Sequence, residues 1–308
     1  MKEVESVRTD QLKRYMNGLW VFLDVKGWQK WFGAAVMGFA FALSLNNDFS
    51  PLQIQGLAIA MPLVLTYTMA VNDCFDIEID KVKGKVMGKE LIVSNVISRR
   101  TALALTFLSV IMGLISAWIT SLSFFIIASA IVLIATVYSV PPFRLKMKYP
   151  FSTLTQFAGM FLPFIAGVAS ISTVTLQAMI ISSAFAVLAM IHRFDHEIAT
   201  YKADLLTGKE TVAVTKGLKT AKTLRKLCAL VGIAESAVFF ILGWVDTVFL
   251  FLFILYVVIY TFIVTEAWIS HLPFSGKKSI STMLVSRALI LVSSYALLIL
   301  VLILYGHF

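Results

Sequence analysis

Nine apolar stretches of roughly membrane length dominate this chain: Gln29–Leu45, Leu52–Val71, Thr101–Ile119, Ser121–Val140, Phe151–Ile171, Thr173–Ile191, Leu224–Trp244, Thr247–Ile269 and Ile280–Tyr305. About 20 apolar residues suffice for a helix to cross the hydrocarbon core of a bilayer. Backbone polar groups in lipid must bond within their own segment, so such stretches read as helices and not as open sheet. With 59% hydrophobic residues, 14% charged residues and a mean hydropathy of +0.88 over 308 residues, a soluble domain is excluded. Ser, Thr, Gly and Pro within several runs suit helices that pack on one another. The expected fold is all-α: a polytopic integral membrane protein of about nine transmembrane helices, arranged as two four-helix units plus one.

The basic residues predict how these spans are threaded. Six Lys/Arg lie between Lys2 and Lys30, six between Lys81 and Arg100, three between Arg144 and Lys148, eight between Arg193 and Lys226 and three between Lys277 and Arg287; the turns after the first, third, fifth and seventh spans carry none. By the positive-inside rule, the N-terminus and the even-numbered connections face the cytoplasm and the C-terminus faces outward. Residues 1–27 are too charged for a signal peptide and read as a cytoplasmic or interfacial segment. One domain over 1–308 is then divided into a first unit at 28–140, a second at 150–270 and a ninth helix at 280–305. The net charge of +9 suits an anionic leaflet and an anionic substrate arriving from the cytosol, and nothing in its distribution suggests nucleic acid. Cys74 and Cys228 imply no disulfide framework.

An acidic cluster, Asn72-Asp73-Cys74-Phe75-Asp76-Ile77-Glu78-Ile79-Asp80, closes the second apolar run. On a helix, positions four apart drift by only about 40° per step, so Asn72, Asp76 and Asp80 share a face with Asp73 beside them. Carboxylates this close raise one another's pKa unless a cation neutralises them, and hard oxygen donors without a partnering cysteine favour Mg2+. A solvated helix end is the bland alternative. Against it, the acids follow directly on a membrane span, where polar groups are costly. A second cluster echoes the first: Asp204-Leu205-Leu206-Thr207-Gly208-Lys209 repeats the Asp-x-x-x-Gly-Lys spacing of Asp80 to Lys85 at an offset of 124 residues. In the same register His196, Glu197 and Thr200 fall opposite Asn72, Asp73 and Asp76, which predicts an internal repeat.

Two acidic clusters on one membrane face, with Lys-rich loops between them and Phe-, Leu- and Met-rich helices below, call for a ligand with a polyanionic head and an apolar tail. An isoprenyl diphosphate answers to this. Carboxylate-held Mg2+ bridges phosphate oxygens while Lys and Arg neutralise the rest.

These motifs also carry a family resemblance. Asn72 to Asp80 is similar to the NDxxDxxxD signature of the UbiA superfamily of intramembrane prenyltransferases. Tyr138-Ser139-Val140-Pro141-Pro142-Phe143-Arg144-Leu145-Lys146 resembles its YSxPPxRxK segment, and Asp204-x-x-x-Gly208-x-x-Thr211 resembles the end of its second aspartate motif. The resemblance implies Mg2+-dependent transfer of a polyprenyl group, geranylgeranyl or longer, from its diphosphate to a lipophilic acceptor inside the cell membrane, with the active site facing the cytoplasm. An aromatic quinone precursor is the expected acceptor and a glycerol-phosphate lipid the alternative. Metal ligands are expected at Asn72, Asp73, Asp76, Asp80, Glu197 and Asp204. Asn72, Lys26, Arg144, Lys146, Lys202 and Lys209 are expected to hold the diphosphate. Asp76, Asp204 and Tyr138 are the catalytic candidates, Tyr138 by facing the allylic cation or, alternatively, serving as a belt tyrosine.

Departures are equally plain. Thr200 and Glu197 stand where the family's second motif usually carries aspartates, and Lys26-Gly27 and Glu90-Leu91 stand where Arg-Pro pairs are common. Glu197 shares a helical face with Thr200 and Asp204 whereas Asp195 does not, so Glu197 is the expected extra carboxylate. His192 and His196 have metal-ligand spacing, but four histidines in the chain cannot assemble a many-histidine oxygenase site. Glu235 and Glu266 are intramembrane acids expected to be structural, Glu266 by pairing with Arg287. A membrane transporter is the competing function from another class; its site would be expected at mid-bilayer in broken helices. A CDP-alcohol phosphotransferase is disfavoured by the missing Asp-Gly and Ala-Arg pairs between Asn72 and Lys89.

Overall fold

The structure, a computed structural model, describes residues 25–45, 49–82, 98–269, 292 and 295–305; the side chains of 25–28, 78–82 and 259–269 lie outside what is described. All regular structure among these residues is helical. Helix α1 is Val25–Leu45. Helix α2 runs continuously through Pro51–Gln55, a π-helical turn at Gly56–Ala60, and Met61–Val82. Then come α3 (Arg99–Thr120), α4 (Leu122–Ser139), a 3-10 turn at Leu145–Met147, α5 (Phe151–Ile171), α6 (Leu176–Leu206), a single turn α7 (Val212–Thr215), α8 (Leu218–Ile241) and α9 (Thr247–Ile269). A shorter apolar helix, α10, covers Tyr295–Tyr305.

Side-chain size explains how the helices face lipid. Along α3 the buried positions are mostly small, Ala102, Thr106, Ser109, Gly113 and Ala117, while Phe107, Ile111, Ile115 and Trp118 are exposed. In water that arrangement would be inverted. In a bilayer it is the expected one, because lipid tails are as apolar as leucine and small residues let helix backbones approach. Among the described residues, five helices are long and apolar enough to cross a membrane: Pro51–Ile77, Arg99–Thr120, Leu122–Ser139, Phe151–Ile171 and Leu176–Leu206. The expected count of nine is not reached on this basis, and the ninth span, Ile280–Tyr305, falls within the described residues only at 292 and from 295 on.

Helix α1 is apolar around its circumference and correspondingly buried, from Phe32 through Leu43. It lies against α5 so closely that only glycine fits at the crossing. A Cβ on Gly38 would sit 1.9 Å from the Phe164 carbonyl oxygen, and one on Gly167 would sit 1.8 Å from that of Ala35. Aromatic side chains fill the space around this crossing, with Phe164 and Phe185 ring centroids 4.8 Å apart and Phe41 and Phe249 5.9 Å apart. Interhelical hydrogen bonds tie the remaining layers: Tyr67 to Thr136 at 2.7 Å, Ser121 to the Ala169 carbonyl at 2.8 Å and Ser182 to the Phe161 carbonyl at 2.7 Å.

Two helices outrun their apolar stretches. Helix α2 continues beyond Val71 to Val82, and α6 continues beyond Ile191 to Leu206 as one helix of 31 residues. The acidic motifs therefore extend transmembrane helices and are not loops. Each keeps its face register on a rigid rod.

Candidate active site at the ends of two long helices

The loop after α4 is shaped by its prolines. Val140 is extended (φ −92°, ψ 134°), as the residue before a proline must be, and Pro141 offers no N–H to continue the helix. The chain then reverses at Arg144, a non-glycine residue in the left-handed region (φ 43°, ψ 50°), at a backbone cost of about 1 kcal/mol. This reversal returns Arg144 and Lys146 to the end of α2. Arg144 Nη2 donates to the Phe75 carbonyl at 2.9 Å and to Asp76 Oδ1 at 3.3 Å. Lys146 Nζ donates to Asn72 Oδ1 at 2.8 Å and forms an ion pair with Asp76 Oδ1. Ser139 Oγ also reaches Asn72 Oδ1, at 3.4 Å. Lys146 is 4% exposed and Asp76 9% exposed. Burial pushes the Lys146 ammonium below the ordinary lysine value, while the Asp76 carboxylate works against that shift.

Tyr138 stands beside this group. The Lys146 ammonium lies 6.0 Å from the centre of its ring, and its hydroxyl oxygen accepts a 3.1 Å hydrogen bond from Gln156 Nε2 of α5. Arg144 Nε is buried without a hydrogen-bond partner. Asp73 is half-buried on the same stretch of α2. The side chains of Asp80 and Lys26 lie outside what is described.

The second cluster is a helix C-terminus. Gly208 adopts φ +65°, the left-handed conformation with which helices commonly end. The Lys209 N–H then bonds back to the Asp204 carbonyl at 2.9 Å, which brings Lys209 Nζ to 4.0 Å from Asp204 Oδ1. The Asp-x-x-x-Gly-Lys spacing is thus a capping geometry that seats a cation beside a carboxylate. Thr200 Oγ lies 2.8 Å from Asp204 Oδ2, one helical turn earlier. Glu197, another turn down, is fully buried; its Oε1 accepts from Arg193 Nε at 2.8 Å and its Oε2 from the Ala213 N–H at 3.3 Å. Asp195 faces elsewhere and pairs with Arg225 of α8 at 2.7 Å. Lys202 is exposed, about 200° around the helix from Asp204, and does not turn toward the cluster.

One residue links the two ends. The Glu210 N–H donates to the Met147 carbonyl at 3.0 Å, its Oε2 accepts from the Tyr149 N–H at 3.2 Å, and its carbonyl accepts from Ser152 Oγ at 3.4 Å. Lys146 grips α2 while its neighbour Met147 is fastened to the loop that follows Asp204. Both acidic clusters therefore sit at one end of the bundle. Among the described residues no three His, Cys, Asp or Glu side chains converge on one point.

The profile of the UbiA prenyltransferase family matches residues 32–287, which include the ends of both long helices and the loop between them. The chain belongs to the UbiA prenyltransferase family. It is therefore a prenyltransferase and a multi-pass helical membrane protein. Solved UbiA structures share the fold. A UbiA homolog from Archaeoglobus fulgidus bound to GPP and Mg2+ superposes with a TM-score of 0.67 at 18% identity, over 92% of this chain and 99% of that one. The same homolog bound to DMAPP and Mg2+ gives 0.66 at 18% identity, over 90% and 98%. A digeranylgeranylglyceryl phosphate synthase gives 0.58 at 16% identity, over 96% and 97%. No curated protein matches the sequence.

Arg193, Gln156 and Glu210 were not legible as site residues beforehand. Arg193 alone carried a local signal, the i,i+4 spacing to Glu197 that favours an ion pair on a helix. Gln156 and Glu210 act across elements distant in sequence, and no local pattern marks them.

Proposed function

We propose that this protein transfers a polyprenyl group from an isoprenyl diphosphate to a lipophilic acceptor, with Mg2+ bound to the diphosphate at the cytoplasmic ends of α2 and α6. The observation that carries this reading is the convergence of Asn72, Asp76, Arg144 and Lys146, the residues that resemble the family's two specific motifs, on one locus. The donor set fits Mg2+, being hard amide and carboxylate oxygens, and the buried Arg144 Nε that lacks a hydrogen-bond partner fits a phosphate oxygen of the substrate. Mg2+ commonly takes one or two carboxylates and completes its octahedron with water and substrate phosphate, so a cage of three acids is not required. Similarity to a fold solved with GPP and Mg2+ supports the same assignment.

Asn72, Asp73, Asp76 and Asp80 on α2 and Asp204 on α6 would hold the metal. When bound, it supplies Lewis-acid stabilisation of the leaving diphosphate. Arg144, Lys146 and Lys209 neutralise charge that develops on the phosphate oxygens as the allylic C–O bond breaks, being already positioned for it. Tyr138 presents its ring face to the developing allylic cation, worth about 1–2 kcal/mol when desolvated. The bundle excludes water from that cation. An aromatic quinone precursor is the acceptor we favour; similarity to the digeranylgeranylglyceryl phosphate synthase favours a glycerol-phosphate lipid as the second reading.

Incubating the purified protein with geranylgeranyl diphosphate and each acceptor class, with and without Mg2+, tests the proposal. Diphosphate release that requires Mg2+ and one acceptor class supports it and names the acceptor. Absence of turnover with every donor length and acceptor favours a transporter instead.

A further inference from the structure

Glu197 stands where a metal-binding carboxylate is expected, yet both its oxygens serve the fold. Oε1 takes the Arg193 Nε hydrogen at 2.8 Å, and Oε2 takes the backbone N–H of Ala213 at 3.3 Å. Ala213 lies in the first turn of α7, whose other cap is the Thr211 hydroxyl accepting from the Val214 N–H at 3.3 Å. Val212 and Ala213 are buried together with Met190 and Phe194 of α6 and Ala221 of α8. The loop between α6 and α7 is thus held at its start by the Gly208 cap, in its middle by the three Glu210 hydrogen bonds, and at its end by Glu197. Lys209 rides on this loop.

Both oxygens of Glu197 are held by groups of the fold, whereas Asp204 has among its partners the rotatable Thr200 hydroxyl at 2.8 Å and Lys209 Nζ at 4.0 Å, which an arriving cation can displace. A guanidinium keeps its charge at any working pH and repels a second cation, and the Ala213 N–H cannot withdraw without unwinding α7. We infer that Glu197 is a positioning residue and not a metal ligand: with Arg193 it anchors the Lys209-bearing loop over the site, and Asp204 is the carboxylate that α6 presents to the metal-bound diphosphate. The inference rests on the Mg2+-diphosphate reading above.

Mn2+ in place of Mg2+, followed by electron paramagnetic resonance, reads metal affinity directly in purified D76N, E197Q and R193K, alongside the thermal midpoint and the donor KM and kcat. For E197Q and R193K the expected result is Mn2+ affinity within about twofold of the parent, a lowered thermal midpoint, and a donor KM raised about fivefold with kcat within about twofold. D76N, whose amide still accepts from Lys146 but no longer balances its charge, should stay folded with a lowered thermal midpoint and lose Mn2+ affinity at least about tenfold. Failure of E197Q to fold, with D76N intact, counts for the anchor, and R193K then carries the metal titration. Loss of Mn2+ by E197Q equal to that of D76N, with an unchanged midpoint, overturns the inference, as does a gain of Mn2+ affinity in R193K. Retained Mn2+ binding and turnover in D76N would instead defeat the functional reading itself.

Discussion

Asp76 is the residue on which the cations of the first cluster meet. Asp76→Ala should reduce turnover at least about a thousandfold and also lower the thermal midpoint, since it strips the buried Lys146 ammonium of its counter-ion. Single-turnover kinetics on protein of verified thermal stability checks both halves of that expectation. Lys146→Met, which keeps the apolar stem and removes the charge, should raise the donor KM at least about tenfold; an unchanged KM would confine Lys146 to topology. At this scale the acidic motif and the YSVPPFRLK segment were readable from sequence because their spacing is local. Glu197 was readable as an acid on the Asp204 face, where it was expected as a metal ligand, but its bond to the Ala213 N–H was not readable, since that partner lies across a loop. Lys202 and Lys209 both flank Asp204 in sequence; the Gly208 cap folds Lys209 back to Asp204, whereas helix phase leaves Lys202 on the outer face of α6.

At the scale of elements, the α1–α5 crossing is the contact that tolerates least. G38A or G167A places a methyl group inside van der Waals distance of a backbone carbonyl, which no rotamer change relieves. Either substitution should destabilise the protein by roughly 1–3 kcal/mol through overpacking, seen as a lower thermal midpoint in detergent, whereas G159A, whose Cβ would meet only Trp31 Nε1 at 3.7 Å, should be neutral. Apolar run length located α5 to the residue, because its ends coincide with Pro150 and the extended Ser172. It underestimated α2 and α6, because hydropathy falls where the acids begin while the helical hydrogen-bond ladder continues. The Glu235 carboxylate on α8, with Oε2 buried and lacking a partner, is a cost that nothing in the structure explains.

For the whole molecule, the ends of α2 and α6 come together through the 140–150 loop and the loop after Asp204, so the two acidic motifs, far apart in sequence, form one rim. We expect that rim to face the cytoplasm. Accessibility of single cysteines introduced at Lys148 and at Thr173 to an impermeant maleimide, in right-side-out and inverted vesicles of a cysteine-free parent, should place the two positions on opposite faces. The class of fold was legible from composition, because no soluble architecture accommodates this hydropathy. The acceptor was not, since apolar pocket side chains encode shape and not chemical identity. The most direct test is equilibrium binding of a non-cleavable prenyl thiolodiphosphate to the parent, D76N and D204N across a Mg2+ titration. The account predicts tight binding by the parent only with Mg2+ and at least about tenfold weaker binding in both variants; binding indifferent to Mg2+, or untouched by either substitution, would contradict it.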